Sequence, residues 1–226
     1  MGDGSTTRSH SERILIYPAL RHAVDQHIKE YLTGKDRGFP GLVASFSDGP
    51  LFQGVVDWIL ESFDGAAEGG IDYVGGPEAG AWGIAGALAR ALNPRIICDR
   101  DEESKRKVGL LMIQKYEKPE DVPEGFVLTG YETDNKSGVL AIPRNTKLER
   151  KRLILIDDWA ETYTQLSACA DLVKTQGGIV AGAATIVAVS DGRERFLERH
   201  PDIKPDHVFS LVNYKRNGSE SLELVE

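Results

Sequence analysis

Residues 153–165 read LILIDDWAETYTQ. Four apolar residues open this stretch, and their unbroken hydrophobicity predicts a strand that is buried on both faces of a sheet. Two neighbouring acids, Asp157 and Asp158, follow at once, and a polar loop then leads into a segment with helical periodicity. Because ligands bind beyond the carboxyl ends of the strands in a parallel sheet, this order predicts a binding site with two carboxylates at the strand tip.

The chemistry of this strand tip suits a phosphorylated sugar. Carboxylates accept hydrogen bonds from ribose hydroxyls, whereas loop amides, threonine hydroxyls and the N-terminus of the following helix can hold a phosphate. The residues alone leave two other interpretations open, because adjacent acids at the end of a strand also cap the following helix or hold a divalent metal ion.

The rest of the chain alternates strands and helices around a polar segment from Tyr116 to Gly138. This alternation predicts an α/β fold with a mostly parallel sheet covered by helices on both faces. We expect a disordered tail over residues 1–11, an N-terminal helical extension over 12–37 and one α/β domain over 38–226. The predicted strands are 71–76, 95–100, 108–114, 139–142, 153–158, 177–190 and 208–214, and the predicted helices are 12–32, 51–63, 82–92, 164–175 and 193–199.

The composition narrows the class of protein. The 226 residues include 27 Lys and Arg against 35 Asp and Glu, a net charge of -8, which argues against non-specific binding to nucleic acid or a membrane surface. No apolar run approaches the roughly 18 to 20 residues of a membrane span, and the N-terminus lacks the apolar core of a signal peptide. Cys98 and Cys169 lack metal-binding spacing. We therefore expect a cytoplasmic protein with two reduced thiols, with no nucleic-acid or membrane partner.

The stretch LILIDDWAETYTQ resembles the ribose-phosphate signature of the type I phosphoribosyltransferases, in which a strand ends in two acids before a short Thr/Gly-rich loop. Three further segments resemble the adenine branch of that family and occur in the family's order: residues 38–59, 71–92 and 130–142. The resemblance implies a Rossmann-like fold with a small N-terminal hood.

The resemblance also implies roles for individual residues. Asp157 and Asp158 would hold the 2′- and 3′-hydroxyls of phosphoribosyl pyrophosphate, and Tyr131 and Asp134 would lie on a lid that closes over the reacting centre. The expected catalytic residues are these four. The expected phosphate-binding loop is Glu161, Thr162, Tyr163, Thr164 and Gln165, and the expected pyrophosphate segment is Glu78, Ala79, Gly80 and Ala81.

The activity that the resemblance implies is transfer of the phosphoribosyl group to a purine-like base, adenine being favoured, with release of pyrophosphate. Mg²⁺ would arrive with the donor, near the two acids, without a dedicated protein site, and the protein would form a homodimer. The alternative is a non-catalytic regulator with the same fold that binds a nucleotide or phosphoribosyl pyrophosphate.

Both loops depart from the family pattern. The phosphate loop usually carries two glycines, whereas this chain has Tyr163 and Thr164, which adopt positive φ reluctantly, and Glu161 adds a negative charge. In the pyrophosphate segment Gly80 replaces an arginine. Residues 105–107 or the run 147–152 could supply positive charge, although both also suit a solvated surface. Two tryptophans after the loops could stack on a ligand or pack in the core: Trp82 and Trp159.

Overall fold

The computed structural model describes residues 18–26, 28–29, 49–63, 70–93, 107–133, 137–189, 192–217 and 221–225. The chain divides into two compact units, Met1–Trp58 and Ile59–Glu226. In the described part of the chain, no helix combines the length and the apolar character that crossing a bilayer requires. The domain boundaries expected after residues 11 and 37 stay predictions.

The first unit contains part of the helix predicted at residues 12–32. Residues 18–26 and 28–29 are helical, and Leu20, Val24 and Ile28 are buried along one side at intervals of one helical turn. The helix α1, Gly49–Ser62, spans the division between the units and matches the predicted second helix.

One mixed sheet forms the frame of the second unit. In the order β3-β4-β2-β1-β5-β6-β7-β8, the central strands from β2 to β7 run parallel. β4 is antiparallel to β2 and β3, and β8 is antiparallel to β7. The eight described strands are β1 (Tyr73–Pro77), β2 (Gly109–Tyr116), β3 (Phe126–Glu132), β4 (Ser137–Pro143), β5 (Arg152–Ala160), β6 (Ile179–Val189), β7 (Val208–Asn217) and β8 (Ser221–Val225).

Three helices follow strands of the parallel region: α2 (Gly80–Leu92), α3 (Thr164–Thr175) and α4 (Gly192–Arg199). Helix α2 is rich in alanine, the strongest helix former, and it packs on β1, β2 and β5. Helix α3 packs on β3, β5 and β6. The centre of the sheet excludes water, since every side chain from Leu153 to Ile156 is at most 1% exposed. Burial of each of these side chains contributes about 1.5–3 kcal/mol to the stability of the folded state.

The predicted fold class, a mostly parallel sheet flanked by helices, is confirmed. The polar segment from Tyr116 to Gly138 was wrongly predicted to lack a strand, since β3 lies in it and pairs with β4 along its whole length. Its side chains are exposed or half-buried at a sheet edge, so the apolar alternation that signals a strand is weak there. Strand β8 was also missed, and the strand predicted at 95–100 lies outside the described residues.

Candidate active site

The two acids of the predicted site lie near the carboxyl end of β5, inside the strand, which continues to Ala160. Successive side chains of a strand point to opposite faces. Asp157 accordingly lies near Cys169 of α3, whereas Asp158 lies against Gly80 of α2. Both acids are only 5% exposed. The central strand therefore carries two buried carboxylates at the edge of the sheet where ligands of parallel sheets bind.

Asp157 has a strongly perturbed electrostatic environment. Burial raises the pKa of its carboxyl well above the usual range, the charge of Asp158 raises this pKa further, and Lys115 opposes the rise. Asp157 Oδ1 also accepts a hydrogen bond from the backbone N–H of Asp158 at 3.0 Å. Asp157 therefore binds a proton more readily than an exposed aspartate does.

Lys115 is a basic residue of the site that the sequence analysis missed. The strand predicted at 108–114 ends one residue before Lys115, whereas β2 extends to Tyr116 and includes it. Its backbone N–H donates to Glu78 Oε2 at 3.2 Å, and its ammonium lowers the pKa of the nearby Asp157. The parallel pairing of β1 with β2 brings the backbone of Lys115 to the pyrophosphate segment, while its ammonium acts on Asp157.

The pyrophosphate segment forms the turn from β1 into α2. The Glu78 N–H donates to the carbonyl of Ile113 at 2.9 Å, the Glu78–Ala79 peptide bond is cis, and α2 begins at Gly80. A Cβ atom at Gly80 would overlap the carboxylate of Asp158. An arginine at this position is therefore incompatible with Asp158 where the structure places it.

The phosphate loop keeps a left-handed residue where the family has glycine. Tyr163 caps α3 with φ 58° and ψ 8°, and its carbonyl accepts the backbone N–H of Ser167 at 2.8 Å. The hydroxyls of Thr162 and Thr164 are 2.8 Å apart, close enough for one to donate to the other. The loop thus presents two hydroxyls beside the start of a helix, and Glu161 precedes them half-buried.

The side chain of Tyr163 points into the core. It is 2% exposed, its hydroxyl lies 3.4 Å from Thr185 Oγ1, and its ring centroid lies 5.8 Å from that of Phe196. Burial raises the pKa of its phenol. Only the backbone of Tyr163 is therefore available to a phosphate in this arrangement.

Tyr131 of the predicted lid lies on β3, opposite Gly138 of β4. Burial raises the pKa of its phenol, and a hydrogen bond with the Gln165 side chain opposes that rise. The structure thus brings the lid tyrosine to the last residue of the phosphate loop. Asp134 lies outside the described residues. An open concavity of about 440 Å³ beside Tyr131 is lined by Glu117, Pro119, Gly130, Glu132, Ser137, Gly138 and Val139.

The basic run 147–152 lies at the amino end of β5, away from the acids. Lys151 forms an ion pair with Asp72 at 3.3 Å, and Arg152 Nε donates to the carbonyl of Gly70 at 3.0 Å. These contacts hold the start of the strand and cannot reach a phosphate at the other end. Of residues 105–107, only Lys107 is described, and it is exposed.

The tryptophans are fixed by the fold. The indole N–H of Trp82 donates to the carbonyl of Gly76 at 3.2 Å, which ties the first turn of α2 to β1. Trp159 lies within β5, half-buried and opposite Val187 of β6. Of the two roles considered for Trp82, stacking on a ligand or packing in the core, this contact favours packing.

A parallel sheet whose central strand carries two acids near its carboxyl end, followed by a phosphate-type loop and approached by a hairpin, resembles the arrangement of the type I phosphoribosyltransferases. No family model matches the chain. The adenine phosphoribosyltransferase of Acidobacterium capsulatum is 29% identical over 178 residues, which cover 78% of this chain and 83% of that protein.

Solved structures show the same fold. The adenine phosphoribosyltransferase of Thermoanaerobacter pseudethanolicus superposes with a TM-score of 0.58 at 22% identity, covering 74% of this chain and 83% of that one. The enzyme from Saccharomyces cerevisiae, complexed with adenine and an imino-altritol bisphosphate, gives 0.55 at 22% identity and covers 74% and 82%. The resemblance drawn from the sequence is confirmed: the chain is similar in sequence, at low identity, and in fold to adenine phosphoribosyltransferases, and the predicted pentosyltransferase class is the class of those proteins.

Proposed function

We propose that the protein transfers the 5-phosphoribosyl group of phosphoribosyl pyrophosphate to a purine-like base, adenine being favoured, and releases pyrophosphate. The observation that carries this proposal is the buried pair Asp157 and Asp158 at the end of the central strand, followed directly by the loop into α3. The names of the relatives favour adenine as the acceptor.

Phosphoribosyl pyrophosphate would contact both the two acids of β5 and the loop that follows this strand. The carboxylates accept hydrogen bonds from the 2′- and 3′-hydroxyls of the ribose, which compensates their burial. The 5′-phosphate lies over the loop, where backbone amides, the Thr162 and Thr164 hydroxyls and the start of α3 donate to its oxygens. Glu161 opposes phosphate binding through its charge.

The reaction is a substitution at the anomeric carbon of the ribose. The bond from this carbon to the pyrophosphate oxygen breaks, a bond to a ring nitrogen of the base forms, and the proton of that nitrogen passes to the departing pyrophosphate. The ring gains positive charge as the leaving group departs, and the buried carboxylates of Asp157 and Asp158 favour that charge.

The leaving group needs positive charge that Gly80 does not supply. Lys115 of β2 provides a cation near Asp157, and its backbone N–H donates to Glu78 of the pyrophosphate segment. Carboxylates are ligands that Mg²⁺ accepts, so Asp157 and Asp158 fit a magnesium ion that enters with the donor. When bound, Mg²⁺ neutralises the departing pyrophosphate.

The remaining parts of the proposal follow from the family. The hairpin of β3 and β4 acts as the lid, with Tyr131 and Asp134 closing over the reacting centre and excluding water. The protein works as a homodimer in the cytoplasm, in purine salvage.

The proposal is tested by calorimetry with phosphoribosyl pyrophosphate and Mg²⁺, followed by pyrophosphate release with a panel of bases. We expect donor binding and adenine-dependent release. Binding without release for any base would replace the transferase by a nucleotide-binding regulator, which the comparisons do not favour. Absence of donor binding would contradict the whole proposal.

Asp157→Asn should lower kcat/KM by about 100-fold or more, because it removes a charge that faces the transition state. The matched control is Asp72→Asn, which changes an acid of similar burial at the amino end of the sheet. Equal loss of activity in both variants, or normal turnover by Asp157→Asn, would contradict the site assignment.

A further inference from the structure

Tyr163 has a backbone conformation that its residue type disfavours. Its φ of 58° lies in the left-handed region, where a Cβ atom crowds the following carbonyl and where glycine is the usual residue. Because this residue also caps α3, its conformation decides where the amides of the phosphate loop point. Some tertiary interaction must therefore hold it.

The buried side chain provides that interaction. The ring of Tyr163 packs against Phe196 of α4, and its hydroxyl lies 3.4 Å from Thr185 of β6. Gly192, the first residue of α4, leaves room for this contact: a Cβ atom there would lie 2.8 Å from Tyr163 Cδ2 and 2.9 Å from the Thr162 carbonyl carbon. The loop is thus attached to two other elements of the fold.

The contact of the Tyr163 hydroxyl with Thr185 also lies close to Asp157. Thr185 is the partner of Asp157 in the register of β5 and β6, and in a parallel pair such partners lie side by side. The Tyr163 hydroxyl therefore reaches the strand position next to Asp157, so one side chain connects the phosphate loop with the acid that would hold the ribose.

We infer that Tyr163 is a positioning residue of the phosphate loop, whose buried ring fixes the loop backbone for a 5′-phosphate. This inference rests on the proposed function, since the loop is taken as the phosphate site. A glycine would adopt the same φ without strain but would leave the loop free to move. The tyrosine preorganises the loop, and preorganisation lowers the entropy cost of binding.

The test compares Tyr163→Gly and Tyr163→Phe with the wild-type protein. Leu148→Ala serves as the control, because Leu148 is equally buried but precedes the amino end of β5. Affinities for AMP and adenosine are measured by calorimetry, and hydrogen exchange of residues 161–165 is followed by mass spectrometry without ligand. If Tyr163→Gly does not fold, Tyr163→Leu replaces it, since it keeps apolar bulk and loses the aromatic contact.

We expect Tyr163→Gly to bind AMP about tenfold more weakly with adenosine affinity within about twofold of wild type, because only the phosphate contacts lose their preorganisation. Exchange at residues 161–165 should accelerate. Tyr163→Phe should retain the wild-type values, and Leu148→Ala should lose stability without changing the ratio of the two affinities.

Unchanged exchange in Tyr163→Gly, or equal weakening of AMP and adenosine, would overturn the inference and leave the proposed function intact. The same ratio change in Leu148→Ala would also overturn it, because the effect would then follow from lost stability alone. A wild-type protein that bound AMP no more tightly than adenosine would contradict the proposed function as well.

Discussion

In the pyrophosphate segment an expected side chain is missing at Gly80, whereas in the phosphate loop a side chain has been added at Tyr163. The space at Gly80 is filled from another element, by the carboxylate of Asp158. The side chain of Tyr163 instead leaves the site and enters the core between β6 and α4. The first change removes a positive charge from its segment, while the second alters how the loop is held.

This difference distinguishes a change in the groups that a loop presents from a change in how the loop is held in place. A loop that presents backbone amides tolerates a large residue when the side chain can be buried elsewhere and the left-handed φ is kept. A loop that presents a guanidinium loses that group outright, so a compensating cation has to come from another element; Lys115 of β2 is a cation near Asp157. We therefore expect the phosphate end of the donor site to resemble the family more than the pyrophosphate end.

The largest expected effect tests the anchor at Tyr163. Tyr163→Ala should cost about 3–5 kcal/mol of unfolding free energy, because it leaves a cavity against Phe196. Tyr163→Gly should be about 1 kcal/mol more stable than Tyr163→Ala, since glycine adopts the left-handed conformation without strain. Urea unfolding measures both. Equal stability of the two variants would mean that residue 163 is not left-handed in solution.

The next effect tests the contact between Gly80 and Asp158. Gly80→Ala should destabilise the protein by about 1–3 kcal/mol, because the added methyl group overlaps the carboxylate. Gly83→Ala is the matched control on the same helix, since a Cβ atom there meets nothing within 4 Å, and it should stabilise by about 0.5–1 kcal/mol.

Removal of the acid should then relieve the clash. In an Asp158→Ala background the cost of Gly80→Ala should fall, which a double-mutant cycle detects as a coupling between the two positions. Additive changes would show that Asp158 does not occupy the space beside Gly80.

The smallest expected effect is the change in stability caused by Asp157→Asn. The pKa of Asp157 is raised, so the folded state binds its proton more tightly than the unfolded state does, and this contribution to stability is lost as pH rises through the raised pKa. Asp157→Asn should therefore be more stable than wild type at pH 8, by about 0.5–2 kcal/mol.

That gain should shrink as pH falls toward about 4, the ordinary pKa of an aspartate. Thermal unfolding of both proteins from pH 4 to pH 8 checks the trend. A difference in Tm that does not change with pH would contradict the electrostatic explanation.

The central part of the fold was predictable because its signals are local. The run LILI before Asp157 indicated a buried parallel strand, and the helix Thr164–Thr175 has the predicted bounds. The hairpin strand β3 was not predictable by the same rule, since an edge strand needs no apolar face. Lys115 was missed because its role depends on which strand lies beside β2.

The sequence by itself determined the α/β class, the two acids at the strand tip and the departures at Gly80 and Tyr163, because apolar periodicity and residue identity are properties of short segments. Only the tertiary structure decided that Tyr163 is an anchor and that Asp158 fills the space beside Gly80. Both outcomes depend on which distant elements lie next to a loop, and strand register and helix packing set that proximity.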